Sequence, residues 1–348
     1  MKKSAMIMVV ILFLAAAGFY FFNPDESMKV PQTPAKEVLK VMPADENSPV
    51  VWLQVQNIAA NQTVTLEKKN GEWLIIYPVS YPAETVVVEG LVAALKLSSR
   101  ARRLLPEKSW EEYGLLKPNI KLGIQTQEGK SRRYLYIGED SPVGPFVYAR
   151  WEGEKEYFLI QRDLKRAFDR TLYSLRIKQV FRVPLRDVTK MRVRSLDHEY
   201  EVEKRTDGWF WLEPIPLLGK PLEKKYVDQI VSQYGDIYIK EFLDNDKRAP
   251  EDLGFEILSP WIKLSGKDKS KTSEQITIGQ ELPERDSFIA RREGEKVSFL
   301  VARENVRKLF QIFETMSQEA LNPTPEAKAQ AAAAAAPVDL RAPVKKIG

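Results

Sequence analysis

The sequence predicts an α+β protein: two tandem copies of a mostly antiparallel sheet module with two covering helices, preceded by one N-terminal transmembrane helix. Three observations carry this. An apolar run opens the chain, the same turn and helix signals are written twice, and short β-prone runs joined by Gly-containing loops fill each copy.

The opening run comes first. Lys2 and Lys3 precede an apolar stretch from Ala5 to Phe22, and Asn23, Pro24, Asp25 and Glu26 follow it. Its eighteen residues, at about 1.5 Å each when helical, reach about 27 Å, close to the hydrocarbon thickness. Cations before the span and anions after it place residues 1–4 in the cytoplasm and the body outside, as a single-pass protein of the inner membrane. The rival reading is a signal peptide cut at Ala15-Ala16-Ala17, which leaves an apolar end beginning Gly18-Phe19-Tyr20. The uncut anchor is preferred, and both readings export the body to the periplasmic side.

Residues 23–49 read as a stalk, with Pro31, Pro34 and Pro43 along it and no sustained periodicity. Residues 50–184 and 185–320 are the two modules, joined where Pro184 interrupts Val183–Val188. Residues 321–348, with an alanine run from Ala331 and Pro323, Pro325, Pro337 and Pro343, read as a disordered tail.

Within the modules each signal has a partner. Gly71-Glu72-Trp73 answers to Gly208-Trp209, Tyr113-Gly114 to Leu253-Gly254, Ile137-Gly138 to Ile278-Gly279, and Glu152-Gly153-Glu154-Lys155 to Glu293-Gly294-Glu295-Lys296, at separations of 136 to 141 residues. A domain-sized period is a tandem pair and not a solenoid. Asn70-Gly71 and Asp207-Gly208 have the chemistry of type I′ hairpin turns between β-prone runs. Val88, Leu91, Val92 and Leu95 give one helical stripe; Leu222, Tyr226, Ile230 and Tyr234 give its counterpart. Turns follow, from Ser109 with Glu112 to Gly114 and from Pro250 to Gly254. Four strands then run through loops at Gly129, Gly153, Gly266 and Gly294. A closing helix has Leu164, Ala167, Phe168 and Leu172 on its face in the first copy, and Val306, Leu309, Phe310 and Phe313 in the second.

The marks Gly71-Glu72-Trp73, Pro78, Tyr113-Gly114-Leu115, Pro118, Ile137-Gly138 and Tyr148-Ala149-Arg150 resemble those of the DUF4340 family, a domain of unknown function. The resemblance covers nearly everything between anchor and tail. The second copy departs from it with Leu253 for Tyr113 and Ile289 for Tyr148. It implies a membrane-anchored envelope protein associated with transport systems resembling the gliding-motility ABC exporters, and it supplies no catalytic residues.

Composition narrows the chemistry. The chain of 348 residues has no cysteine, so disulfides, thiolate metal sites and cysteine nucleophiles are excluded. A net charge of +5 over 53 basic and 48 acidic residues describes a solvated surface, and outside the cytoplasm nucleic acid is not an expected partner. The one histidine, His198, falls at a turn with no counterpart in the other copy. Gly123 to Ser131 has five residues between its glycines where a phosphate loop needs four, and leads into a strand. No cofactor or metal is therefore expected.

Trp73 and Trp209 occupy equivalent places and read as core. Trp151 faces Arg292 in the comparison of copies, which marks it as an exposed contact candidate. Arg100, Arg102 and Arg103 form a basic cluster peculiar to the first copy. The expected function is a non-enzymatic accessory or scaffold subunit of a cell-envelope assembly of the ABC-export type, with protein partners. The alternatives are an envelope polysaccharide-binding module and a carboxylate-dependent glycan hydrolase.

Overall fold

The computed structural model describes residues 39–42, 48–104, 109–129, 131–267 and 273–323. The apolar run 5–22, most of the stalk and nearly all of the tail lie outside these. No helix among the described residues is long and apolar enough to cross a membrane.

In chain order the first strands are β1 (Val50–Asn57), β2 (Gln62–Lys69), β3 (Glu72–Tyr77) and β4 (Tyr81–Pro82). Helix α1 (Thr85–Leu97) follows, then β5 (Arg102–Leu104), β6 (Ile120–Thr126), β7 (Arg133–Asp140), β8 (Phe146–Trp151) and β9 (Tyr157–Gln161). Helices α2 (Arg162–Phe168) and α3 (Leu172–Leu175) close this half. The second half has β10 (Val188–Arg194), β11 (Glu199–Arg205), β12 (Gly208–Glu213), α4 (Lys224–Asp236) and β13 (Ile239–Phe242). It ends with β14 (Trp261–Gly266), β15 (Ser273–Leu282), β16 (Ser287–Arg292), β17 (Ser298–Ala302) and α5 (Arg303–Leu321). The described parts of 1–63 and 89–170 form one compact unit; 64–88 with the described parts of 171–348 form the other.

The strands make two antiparallel sheets with few helices, an α+β arrangement. Their orders are β4-β3-β2-β1-β6-β7-β8-β9-β5 and β12-β11-β10-β14-β15-β16-β17-β13. Strand for strand the second order repeats the first, lacking only the two-residue edge β4. The irregularities repeat as well. Register shifts at Val50/Trp52, Thr65/Leu66 and Ile137/Asp140 recur at Val188/Lys190, Glu201/Val202 and Ile278/Glu281. A bulge re-aims its strand, so matched bulges give the sheets matched bends.

The bulge in β7 also explains two of the recurring glycines. A Cβ on Gly138 would lie 2.3 Å from the Tyr113 carbonyl oxygen, and one on Gly279 would lie 2.3 Å from that of Leu253. Gly114 and Gly254, at φ +65° and +77°, end the turns that dock there. The Tyr-Gly and Ile-Gly marks are thus two sides of one backbone contact, sealed by Glu139 N–H donating to Tyr113 O at 3.0 Å.

Several details differ from the sequence reading. Asn70 and Gly71, at φ +53° and +88°, make the expected type I′ turn. In the second hairpin Arg205 pairs with Gly208, so Thr206-Asp207 occupy the turn. Gly208 instead opens β12 at φ +151°, a conformation that side chains rarely adopt. The first closing helix stops at Phe168. The Thr171 hydroxyl accepts the Ser174 N–H at 3.2 Å and starts a separate turn carrying Leu172. Strands β4, β5 and β13 were not foreseen.

The expected stripes do face inward. Val88, Leu91, Val92 and Leu95 of α1 are buried, as are Tyr226, Ile230 and Tyr234 of α4 and Val306, Leu309 and Phe313 of α5. In the second half α4 and α5 cover one sheet face over Val193, Val202, Trp211, Ile262 and Phe299. Each such large apolar side chain contributes roughly 1.5–3 kcal/mol on leaving water.

Candidate functional site

A strand alternates its side chains between faces, so the inward set determines the outward one. In the first sheet Leu122 and Ile124 of β6, Leu135 and Ile137 of β7, and Ala149 of β8 are buried on the core side. The outward set is Trp52, Lys121, Gly123, Tyr134, Tyr136, Tyr148 and Arg150.

Register decides how this set meets. Gly123 lies opposite Tyr134, and Lys121 opposite Tyr136, which in turn faces Arg150. A Cβ on Gly123 would come within 2.8 Å of both the Trp52 and Tyr134 rings. The glycine therefore lets the two rings close over the strand, edge to face, with centroids 6.4 Å apart.

Cations then cap the rings. The Arg132 guanidinium sits 4.1 Å from the Trp52 centroid, the Lys121 ammonium 4.3 Å from Tyr134, and the Arg150 guanidinium 4.1 Å from Trp110 and 4.6 Å from Tyr136. Arg150 is buried and its Nε donates to Leu115 O at 3.4 Å. The Tyr136 hydroxyl donates to Glu152, and Lys121 reaches the same carboxylate at 3.4 Å. Beside them Tyr113 stacks on Tyr157 at 4.6 Å and tilts against Tyr148 at 4.7 Å.

The electrostatics follow from this crowding. Burial, and then the bond to Glu152, push the Tyr136 phenol up; that same bond holds the Glu152 carboxyl below its usual range. Burial works against the Lys121 charge, but bonds to Tyr136 and Glu152 outweigh it and raise its pKa. Lys121 and Arg150 thus both act on the Glu152 carboxylate, and the Arg132 guanidinium over Trp52 adds a further positive charge beside them.

The second sheet keeps part of this capping: the Arg192 guanidinium lies 5.3 Å from the Trp261 centroid, and Arg291, at the place of Arg150, lies 4.6 Å from that of Phe255. In the same register Lys190 stands for Trp52, Trp261 for Lys121, Lys263 for Gly123, Gln275 for Tyr134 and Thr277 for Tyr136. That face is a lattice of ion pairs: Lys190–Glu201 at 2.8 Å, Arg192–Glu201 at 2.9 Å and Arg194–Glu199 at 3.5 Å. What the modules share is framework and an arginine cap at Arg150 and Arg291; the ring pair closed over Gly123 and the Lys121, Tyr136 and Glu152 cluster have no counterpart at the matched positions of the second.

The model of the family described as Domain of unknown function (DUF4340) matches residues 73–253. The chain belongs to the DUF4340 family. Neither the curated proteins nor the solved structures contain a match to it. In this DUF4340 chain the matched stretch runs from Trp73, buried after the first hairpin, to Leu253, whose carbonyl meets Gly279.

The structure separates the residues that the sequence nominated. Trp151 is 1% exposed, which corrects its reading as an exposed contact. It lies on the core side of β8 and its indole N–H donates to Val41 O at 3.1 Å. Its counterpart Arg292 is buried too, and donates to Val180 O at 2.6 Å. In both halves this position ties down the segment before the first strand, so an arginine there was no sign of exposure. Arg100 is half-buried, with its guanidinium 4.3 Å from the Phe158 centroid and its Nε donating to Lys40 O at 3.2 Å. Burial lowers its pKa against the pull of Glu154. Arg102 and Arg103 are exposed on β5, and Arg103 is ion-paired with Glu156. None of the four belongs to the capped face.

Trp73 is buried, and Trp209 packs half-buried against the second core. His198 is exposed at its turn. Among the described residues no three acidic or histidine side chains gather as a metal site. The face itself went unread in the sequence. The available signals were a glycine inside a strand pattern and the alternation Tyr134-x-Tyr136 beside Lys121-x-Gly123.

Proposed function

We propose that this DUF4340 chain is a non-enzymatic accessory subunit of a cell-envelope assembly of the ABC-export kind. Residues 5–22 would anchor it in the inner membrane with its body on the periplasmic side, a reading that rests on the charge and length of that run. The observation that supports this reading is the ring pair closed over Gly123 with the Tyr134 and Tyr136 cluster beside it, set against Lys263, Gln275 and Thr277 in an ion-pair lattice at the same register of the second sheet.

The capping itself favours a protein partner over a sugar. Stacking a sugar would need bare ring faces, and each cation displaced from a ring costs about 0.5–2 kcal/mol. A protein bringing carboxylates keeps those contacts and pairs with the surplus positive charge. Aromatic residues and arginine are also the side chains that dominate protein interfaces.

The test places a photo-crosslinking amino acid at Tyr136 and, separately, at Thr277, in cells carrying the full chain. The proposal expects a permease or another subunit exposed to the periplasm attached at position 136 and none at 277, in a membrane fraction that resists high salt. Equal patterns at both positions, or protection of 136 by envelope polysaccharide alone, would overturn it.

A further inference from the structure

A polar cavity of about 480 Å³ opens in the first unit between the start of the loop after β1 and helix α2. That volume suits a monosaccharide-sized ligand. Arg162, Lys165 and Arg166 of α2 line it with Asp169 at the end of the same helix, and Asn119 and Asp140 complete the polar lining. Asn57 Nδ2 donates to Asp169 Oδ1 at 2.6 Å and so fixes that carboxylate.

Comparison with the second module shows what is special here. There Arg303 and Arg307 both clamp Glu281, at 2.9 and 2.8 Å, and Val306 between them is fully buried. In the first module the same places hold Arg162, Arg166, Asp140 and Lys165. Arg162 Nε pairs with Asp140 at 2.8 Å, but the second bond to that carboxylate comes from Lys165, at 2.9 Å. A lysine at the valine position has taken over the task of Arg166. Arg166 is left 69% exposed at its side chain, with one i,i+3 contact to the exposed Asp163 at 3.4 Å.

We infer that this cavity binds an oxyanion, phosphate or carboxylate, carried on a hydroxylated small molecule. Arg166 is the principal clamp and Arg162 the second. Asp169, held by Asn57, accepts a hydroxyl of the ligand. The site is separate from the capped aromatic face, and its fate does not depend on the partner proposed there.

Isothermal titration of the full chain in detergent tests this with four probes: inorganic phosphate, glucose 6-phosphate, glucuronate and glucose. Saturable binding is expected for glucose 6-phosphate or glucuronate, weaker binding for phosphate, and none for glucose. A preference for the phosphate ester points to a phosphorylated ligand, one for glucuronate to an acidic sugar, and both support the site. Arg166→Ala should weaken binding at least about tenfold, as loss of a charge-assisted bond does, and Arg166→Lys should restore part of it. Arg307→Ala, at the matched place in the second module, should leave it unchanged. Absence of saturable binding by every acidic probe would overturn the inference, and so would equal losses in Arg166→Ala and Arg307→Ala.

Discussion

Replacing Gly138 by alanine tests the contact that both modules use to dock a turn on a bulge. The new Cβ would stand 2.3 Å from Tyr113 O and 2.9 Å from the carbonyl carbon and oxygen of Gly114. A carbon–oxygen contact is comfortable near 3.3 Å, so the backbone must part by about 1 Å. Overpacking of that size costs about 1–3 kcal/mol. The Glu139 N–H to Tyr113 O bond, 3.0 Å long, would be lost with it, at about 0.5–1.5 kcal/mol. The expected loss is therefore about 2–4 kcal/mol for Gly138→Ala, and about 1–3 kcal/mol for Gly279→Ala, whose Cβ meets Leu253 O at 2.3 Å. Gly90→Ala is the control. It lies in α1 with nothing within 4 Å of its Cβ, and should stabilise by about 0.5–1 kcal/mol through helix propensity. Urea midpoints read by tryptophan fluorescence give all three. An unchanged midpoint for Gly138→Ala, or a loss at only one of the two matched positions, would refute the reasoning.

Two further predictions rest on charge. Arg176 is 1% exposed and forks onto Asp244 through two bonds of 2.7 Å, so Asp244→Ala strands a buried cation and should cost roughly 3–5 kcal/mol, whereas Asp163→Ala, at the exposed pair with Arg166, leaves the urea midpoint where it was. Asp140 and Glu152 are held below their ordinary values of 3.8 and 4.5, by the Lys165 and Tyr136 hydrogen bonds respectively. Depressed carboxyl values stabilise the fold above the unfolded pKa and lose that contribution as pH falls through the folded one, so the loss should begin near about pH 5 and grow below it. Carbon-detected NMR titration should find both groups low, with Lys165→Met raising Asp140 and Tyr136→Phe raising Glu152; unmoved titrations would refute the assigned causes.

The framework was legible in the sequence because it obeys local rules and is written twice. Asn70-Gly71 demands a hairpin wherever it falls between strands. The spacing of Val88, Leu91, Val92 and Leu95 can bury only one stripe. The capped face was not legible for a different reason. Alternation says that Tyr134 and Tyr136 share a side with Lys121 and Gly123 once their strands are paired. It does not say which strands pair, or that Trp52 lies across the glycine. Trp151 shows how comparing copies can mislead. A tryptophan and an arginine look like opposite environments, yet both are long side chains with an N–H to deliver to a buried carbonyl. The exchange between Lys165 and Arg166 was equally hidden, because it is visible only when the helix register is known relative to Asp140.

The short strand β5 has one more consequence. Two similar modules on one chain meet each other at high effective concentration from the moment of synthesis, and a strand of one is a plausible mate for an open edge of the other. An edge of three residues, with the charged side chains of Arg102 and Arg103 exposed along it, offers such a strand little ladder. The opposite edge, β4, is two residues long and contains Pro82, which has no N–H to give. Short, charged or proline-bearing edges of this kind are what keeps a duplicated chain from knitting its first half into its second.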